Sequence, residues 1–198
     1  MVGNHDLATE ERDAKRLLAF VPEQPNPYEM LTVYEHLRFI ALAYETMDGF
    51  EARADALLHR FDLDSKRDEL VATLSKGMRQ KLTIACAFLH RARVFLFDEP
   101  LIGLDPKGAR ELREAIREAA QVEGAAVLVS THMLDTAQSL CDRILILRSG
   151  VKIAEGTVPD LRAYARASHN ASLEEVFLSL TGGEVQTAPT DSFTEAEI

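Results

Sequence analysis

The sequence has 198 residues, of which 46% are hydrophobic and 27% are charged, a composition typical of one globular domain. Its formal net charge of -10 argues against a nucleic-acid-binding surface, which would require a basic patch. No apolar run approaches the roughly 20 residues that span a bilayer, and the first residues lack the apolar core of a signal peptide. We therefore expect a cytosolic chain that reaches a membrane only through a partner.

Four short runs rich in branched and aromatic residues predict buried parallel strands: residues 17–21, 94–97, 126–130 and 143–147. Helical patterns lie between them, so the predicted fold class is α/β with a parallel sheet. After the last of these runs, residues 148–151 predict a tight turn into a short strand, which would form an edge hairpin.

Residues 31–74 differ from the rest because they contain two amphipathic helical patterns and no strand between them. The patterns predict helices over residues 32–44 and 51–61. We interpret this region as a helical subdomain inserted into the sheet domain, followed by a further helix over residues 78–90.

Two other features complete the predicted organisation. Cys86 and Cys141 lie in apolar helical patterns without metal-ligand spacing, so we expect them to be core residues. From Glu184 onward the sequence is polar and aperiodic, which predicts a disordered tail over residues 184–198.

The strongest local signal is a pair of carboxylates, Asp98 and Glu99, directly after the predicted strand 94–97. Ligands of open α/β sheets bind at the carboxyl ends of strands. In nucleotide hydrolases an Asp at this place holds the magnesium ion, and a neighbouring Glu polarises the attacking water. The alternative is a strand that ends in a solvated acidic turn, and this short pattern alone does not exclude it.

Two glycine-containing segments have both a functional and a purely structural interpretation. Ser75, Lys76 and Gly77 lead into a predicted helix, whose N-terminus favours anions such as phosphate, but Ser-x-Gly often only caps a helix. In the second segment, Asp105 is a good N-cap and Pro106 suits the first turn of a helix predicted over residues 107–122.

His132 follows the predicted strand 126–130 at the same carboxyl edge as Asp98. An imidazole at this position can touch a terminal phosphate or a reacting water. The other five histidines have no such placement, and we expect them to be ordinary surface or interface residues: His5, His36, His59, His90 and His169.

The order and spacing of these segments resemble the nucleotide-binding domain of ABC transporters. Four segments resemble the family's signature motif, Walker B motif, D-loop and H-loop: LSKGM at 74–78, VFLFDEP at 94–100, GLDP at 103–106 and STH at 130–132. Two more are similar to the Q-loop and to the end of subunits from bacterial exporters and multidrug or permease-type systems: FVPEQP at 20–25 and SLEEVF at 172–177.

The resemblance covers residues 2–182 and implies a P-loop NTPase-like parallel sheet with an inserted α-helical subdomain. Residues 1–183 would form a partial nucleotide-binding domain, in which 31–74 and 75–91 are the helical and signature regions. ATP and Mg²⁺ are the implied cofactors. The implied partners are a transmembrane permease and a second nucleotide-binding domain, identical or different, and no nucleic acid. The permease would hold the subunit at the inner face of the plasma membrane.

The resemblance also implies roles for individual residues. Asp98 would bind Mg²⁺ through water, Glu99 would be the catalytic base, and His132 would sense the γ-phosphate. Asp105 would communicate across a dimer. The ATP held by the opposite subunit would be contacted by the signature residues Ser75, Lys76 and Gly77.

Three segments depart from the family's commonest pattern. Glu23 stands where most members have Gln, and Gln24 follows it, so the resemblance leaves open which side chain approaches the metal. The signature-like segment has Lys76 and Met78 in place of Gly and Gln, a variation associated with the exporter branch. Ile102 replaces the usual Ser ahead of the D-loop.

A larger departure concerns the phosphate-binding loop. The 198 residues contain no G-x-x-x-x-G-K-[ST] sequence and no Gly-Lys dipeptide. In the family this loop cradles the phosphates with backbone N–H groups, and it precedes the Q-loop. We expect a truncated reading of a longer gene, lacking the N-terminal strands as well, because the later motifs are intact. The alternative is a naturally degenerate subunit.

Two functions follow from these observations. The first is an ATPase that powers transport, although the chain alone would be inactive. The second is a catalytically incomplete regulatory or structural subunit that supplies only its signature motif to a partner's ATP site. Glu99 favours the first function and the absent loop favours the second. A relative acting on DNA or ribosomes is disfavoured, because zinc cysteines and basic patches are absent.

Overall fold

The computed structural model describes residues 1–182, which fall into two compact units, Met1–His132 and a second that begins at Met133. The tail predicted for residues 184–198 lies outside the described residues. In the described part of the chain, no helix is both long and apolar enough to cross a membrane.

The first unit is built on a three-stranded parallel sheet in the order β1-β2-β3. Its strands are β1 Leu18–Val21, β2 Val94–Asp98 and β3 Ala126–Ser130. Branched and aromatic side chains favour extended backbone, and these three predicted strands are confirmed. Because the strands run in the same direction, their carboxyl ends lie at one edge of the sheet.

One face of this sheet is covered and the other is open. Phe95 is buried, and its ring packs against Phe88 of the helix that covers this face. On the opposite face, Phe20 is 57% exposed and Leu128 is 66% exposed. Residues 126–130 form the predicted strand, but the prediction that this strand is buried is wrong, because residues 126, 128 and 130 are exposed. Within the first unit, no element covers the Leu128 side chain.

Five helices complete the first unit: α1 Glu11–Arg16, α2 Val33–Ala43, α3 Phe50–Arg60, α4 Lys76–Leu89 and α5 Pro106–Gln121. Short 3-10 turns at Asp64–Lys66 and Val71–Thr73 join α3 to α4. The four helices predicted from periodicity are confirmed, with small shifts at their ends. A capping box begins α2, in which Thr32 and Glu35 satisfy each other's backbone N–H groups.

The inserted helices α2 and α3 both pack against α4. Each helix buries the apolar residues that recur at helical spacing along its sequence. Leu37 on α2, Leu58 on α3 and Leu82 on α4 are at most 1% exposed. The region predicted as a helical subdomain is therefore a packed helical layer that includes α4.

Two histidines predicted to be ordinary surface or interface residues are instead buried, since His36 and His90 are each 5% exposed. His36 Nδ1 lies 3.4 Å from Cys86 Sγ, and the His90 ring stacks on Tyr44 with 4.0 Å between ring centroids. Position 36 falls on the buried stripe of α2, so packing outweighs the polarity of the side chain. Burial lowers the pKa of both imidazoles.

In its described residues, the second unit contains a hairpin and three helices: α6 Leu134–Leu140, β4 Ile144–Arg148, β5 Val151–Gly156, α7 Val158–Tyr164 and α8 Leu173–Thr181. The predicted hairpin is confirmed, with Ser149 and Gly150 both at positive φ in the turn. The prediction that residues 143–147 join a parallel sheet is wrong. This turn folds β5 back onto β4, and in the described residues β4 pairs only with β5, antiparallel.

Candidate functional site

The carboxyl ends of β2 and β3 bring together three of the residues predicted to act on nucleotide. Asp98 ends β2 and is aligned with Ser130 at the end of β3. Glu99 follows Asp98, and His132 follows Ser130 by two residues. This group of residues at the ends of β2 and β3 is called the carboxylate edge below.

Three hydrogen bonds hold the Glu99 carboxylate at this edge. Oε1 accepts from the backbone N–H of His132 at 2.7 Å and from His132 Nδ1 at 2.8 Å. Oε2 accepts from the Thr131 hydroxyl at 3.1 Å. The Glu99 side chain is 17% exposed, whereas that of His132 is 72% exposed. The carboxylate is thus fixed in place next to solvent.

The backbone of Glu99 is also unusual, with a φ of 43° in the left-handed region. This conformation costs a residue other than glycine about 1–2 kcal/mol. Such strain persists where the surroundings impose it, and it is concentrated at functional sites. Here the Glu99 N–H donates to the Ser130 carbonyl at 3.0 Å, which ties the strained residue to the end of β3.

Asp98 is partly buried and accepts a hydrogen bond from the Ser130 hydroxyl. Among the described residues, no group of three or more His, Cys, Asp or Glu side chains is arranged to hold a metal ion. Mg²⁺ does not need one, because it prefers oxygen ligands and is often bound by one or two carboxylates, waters and substrate phosphates. The oxygen donors of Asp98 and Ser130 fit that requirement.

The signature-like residues lie at the start of α4. Ser75 is the N-cap of α4, and its hydroxyl accepts from the Met78 N–H at 3.3 Å. Lys76 is exposed. A Cβ added to Gly77 would lie 2.6 Å from the carbonyl oxygen of Gly103, so only glycine fits there. The first turn of α4 therefore packs directly against residues 103–106, called the GLDP loop below.

Asp105 is the N-cap residue of α5, as predicted, but its side chain makes no capping hydrogen bond. Its carboxylate instead forms an ion pair with Lys81 of α4, with 2.7 Å between Oδ1 and Nζ. The hydrogen bond from Lys81 lowers the pKa of Asp105 below its usual value.

The structure does not bring all the predicted site residues together. Glu23 and Gln24 leave the carboxyl end of β1 and are exposed, and neither contacts Asp98 or Glu99 through a hydrogen bond or ion pair in the described residues. Likewise, within the described part of the chain, no hydrogen bond or ion pair connects Ser75, Lys76 or Gly77 to the carboxylate edge. The first turn of α4 and the GLDP loop form a second group, called the signature edge below.

Sequence reasoning did not single out three residues that contact the predicted site. Ser130 and Thr131 bond Asp98 and Glu99, and their signal was their place between the end of β3 and His132. Lys81 pairs with Asp105, but nothing in the sequence distinguishes it from an exposed helical lysine.

Comparison with known proteins gives consistent matches. The model of the ABC transporter family matches residues 1–102. The ABC-type transporter ATP-binding protein EcsA of Bacillus subtilis (strain 168) is 42% identical over 163 residues, 82% of this chain and 65% of that protein. The uncharacterized ABC transporter ATP-binding protein YdbJ of the same organism is 35% identical over 196 residues, 98% of this chain and 62% of that protein.

A solved structure, described as the ATP binding subunit of an ABC transporter, has a TM-score of 0.85 to this chain at 40% identity. The match covers 89% of this chain and 73% of that one. The chain thus spans less than two thirds of the length of the two curated relatives, at 65% and 62%.

Proposed function

The chain belongs to the ABC transporter family, and on that basis we propose that it is an ATP-binding and ATP-hydrolysing subunit that powers transport of an unidentified substrate. The observation that carries the proposal is the strained and hydrogen-bonded Glu99 at the carboxyl edge of the sheet.

The arrangement of Glu99 suits a general base for water. A carboxylate offers about four acceptor positions, and three are occupied by His132 and Thr131. One position remains for a water whose oxygen attacks the γ-phosphorus of ATP. Glu99 would accept the proton of that water as the bond to the bridging oxygen breaks, releasing ADP and phosphate.

The other residues of the carboxylate edge would assist this step. Asp98 would hold Mg²⁺ through water, and the ion would neutralise charge on the phosphate oxygens. Because Nδ1 of His132 donates to Glu99, the ring can also donate from Nε2 to a phosphate oxygen only as an imidazolium. Glu23 or Gln24, which follow β1, would approach the metal from the neighbouring strand end.

The signature edge would act on a different ATP molecule. Ser75, Lys76 and Gly77 stand at the N-terminus of a 14-residue helix, where a hydroxyl, a positive charge and backbone N–H groups favour phosphate. We propose that they contact ATP held by a second nucleotide-binding domain in a head-to-tail dimer. Asp105 would lie at the same dimer interface.

The experiment uses a loop-bearing subunit, meaning this chain preceded by a phosphate-binding loop. The loop comes from the chain's own reading frame where that encodes one, and otherwise from a relative that carries such a loop. We expect Mg²⁺-dependent ATP turnover that Glu99→Gln reduces by roughly 10²- to 10⁴-fold, with ATP binding retained. Glu123→Gln, at an exposed glutamate of the same unit, is the control and should leave turnover unchanged.

The outcome that contradicts the proposal is turnover that survives Glu99→Gln. The 198-residue chain alone should stay at background, because phosphoryl transfer depends on positioning and charge stabilisation that the loop supplies. Clear turnover by that chain, abolished by Glu99→Gln, would show that the loop is dispensable.

The closely packed signature edge also fits a second candidate, an incomplete subunit that supplies only this edge. Under this alternative, adding a loop gives no Glu99-dependent turnover. The chain would instead stimulate a complete relative whose own signature glycine has been replaced. Mixing the purified chain with such a variant of EcsA separates the two functions.

A transmembrane permease is the partner that the surface around Tyr28 and Met30 fits best. Tyr28 is 59% exposed and Met30 88% exposed, and Tyr28 packs edge-to-face on Phe39 of α2 with 5.1 Å between ring centroids. Tyr28 also lines a cleft of 340 Å³ between α2 and β1. Apolar surface of this kind indicates a protein contact. We propose that it receives a cytoplasmic helix of the permease, which holds the subunit at the inner face of the plasma membrane.

The alternative for Met30 and Leu31 is a hydrophobic staple that fixes the start of α2. The 88% exposure of Met30 disfavours it for that residue. In the loop-bearing subunit, Tyr28→Ala and Met30→Glu should abolish copurification with the permease and leave basal turnover intact. Val122→Glu, at another highly exposed apolar residue, is the matched control. Unchanged copurification at both positions would contradict the docking proposal.

A further inference from the structure

Lys81 is a buried cation that lies between two predicted functional segments. The residue is 8% exposed, on the second turn of α4. Its ammonium lies 2.7 Å from Asp105 Oδ1 at the start of α5. Burying a charged ammonium is costly unless it is paired. The geometry therefore indicates that this lysine is held by Asp105 and is not a solvated surface charge.

The backbone of α5 leaves room for the Lys81 side chain. A Cβ added to Gly108, in the first turn of α5, would lie 2.7 Å from Lys81 Cε and 2.9 Å from Asp105 Oδ1. The lysine stem thus runs across the position where any other residue would carry its side chain. The absence of a side chain at position 108 lets the ion pair form close to the axis of α5.

A second contact joins the same two segments one helical turn away. Gly77 and Lys81 are four residues apart, so they lie on the same face of α4. Gly77 meets the carbonyl of Gly103, where an added Cβ would lie 2.6 Å away. One face of α4 is therefore attached at two points to residues 103–108, once by backbone packing and once by charge.

We propose that Lys81 is a positioning residue that fastens the signature residues to the GLDP loop, so that Ser75–Gly77 and Asp105 shift together as one body. The proposal deepens the proposed function and rests on it for its purpose. A signature segment that met ATP on a partner would, through Lys81, carry the GLDP loop with it to the dimer interface.

Amide hydrogen exchange of the 198-residue chain without nucleotide tests the connection itself. In Lys81→Met, which keeps an apolar stem against Gly108, exchange should accelerate by about tenfold in both segments, 74–80 and 101–109, corresponding to roughly 1.4 kcal/mol of local opening. Asp105→Asn should give the same pattern, and the double variant should add little to either single change. Lys81→Arg, which keeps a cation within reach of Asp105, should restore protection.

The control is Lys107→Met, which removes an exposed lysine of α5 whose Nζ lies 3.2 Å from Asp62 Oδ1. It should leave both segments unchanged. Faster exchange in only one of the two segments, or additive effects in the double variant, would overturn the proposal. So would uniform acceleration across the chain, because that would indicate a general structural role. If Lys81→Met fails to fold, amide exchange of the two segments in Asp105→Asn is compared with that in the parent chain, and the same outcomes apply.

These results are independent of catalysis. If the two segments are coupled but the loop-bearing subunit shows no Glu99-dependent turnover, the proposed function fails and the attachment stands. If turnover depends on Glu99 but the segments exchange independently, the attachment fails and the function stands.

Discussion

At the carboxylate edge, Glu99 is held by hydrogen bonds from two residues that follow the neighbouring strand, His132 and Thr131. At the signature edge and one turn further along α4, Gly77 and Lys81 are held against residues 103–108, Gly77 by close packing and buried Lys81 by an ion pair with half-exposed Asp105. The first arrangement leaves the carboxylate beside solvent with an acceptor position free. The second leaves no room for a side chain at positions 77 and 108.

This difference corresponds to the proposed division of labour. A base that must receive water benefits from polar contacts that orient it without covering it. A segment that must meet a partner benefits from rigidity, because less freedom is then lost on association. The carboxylate edge should therefore respond to changes in hydrogen bonding, and the signature edge to changes in volume.

Thr131→Val should have the largest effect of the substitutions that sharpen this contrast. It keeps the shape of the side chain but removes the hydroxyl that bonds Glu99 Oε2. Because a misplaced catalytic group can lose up to about 10²-fold in rate, we expect turnover of the loop-bearing subunit to fall by roughly 10- to 100-fold. Thermal unfolding should change little. A large loss of stability with unchanged turnover would contradict an orienting role for Thr131.

Gly77→Ala should have the next largest effect, through volume alone. The added methyl meets the Gly103 carbonyl, and overpacking of this kind costs about 1–3 kcal/mol, measurable by urea unfolding. The Cβ added by Gly103→Ala has no neighbour within 4 Å, but the alanine would have to keep a φ of 80°. Its cost of about 1–2 kcal/mol therefore comes from backbone strain and not from overpacking.

Gly124→Ala provides the matched control, because Gly124 has a φ of 69° and also has no neighbour within 4 Å. Gly103→Ala and Gly124→Ala should destabilise the chain equally. If Gly77→Ala is neutral, the close packing attributed to the signature edge is wrong.

The pH dependence of the Lys81–Asp105 pair should be the smallest effect. The folded-state pKa of Asp105 is lowered, first by the hydrogen bond from Lys81, so the resulting stability is present above the unfolded pKa. It is lost as pH falls through the folded pKa, below the ordinary Asp value of about 3.9. The Asp105 side chain is 50% exposed, and solvent screening limits this term to about 1 kcal/mol.

Urea unfolding at several pH values checks this expectation. The difference in unfolding free energy between the parent chain and Asp105→Asn should shrink as pH falls from 5 to 3. A difference that grows on acidification would contradict the assigned direction.

The carboxylate edge could be predicted from the sequence because its geometry follows from strand direction. Once residues 94–97 and 126–130 are parallel strands, Asp98, Glu99 and His132 must lie at one end of the sheet. The helices over residues 32–44 and 107–122 follow equally from apolar spacing.

The signature edge could not be predicted in the same way. The burial of Lys81 depends on how the first turn of α5 docks on α4, and local sequence does not specify that contact. The same limit explains the burial of His36, whose ring lies against Cys86 of α4. These features depend on contacts between segments distant in sequence, which composition and periodicity do not report.

The central claim is that the two edges act on different ATP molecules, and the most direct test is the ATP turnover of two variants that are mixed. In the loop-bearing subunit, Glu99→Gln and Gly77→Asp should each abolish turnover. Glu99→Gln would inactivate the site that holds the subunit's own ATP, and Gly77→Asp would inactivate the site that holds its partner's ATP. In a mixed dimer, one site combines both defects and the other is intact. Mixing equal amounts should therefore restore about one quarter of parent turnover, if subunits of a symmetric dimer exchange freely. A mixture no more active than either variant alone, with exchange shown by crosslinking, would contradict the account.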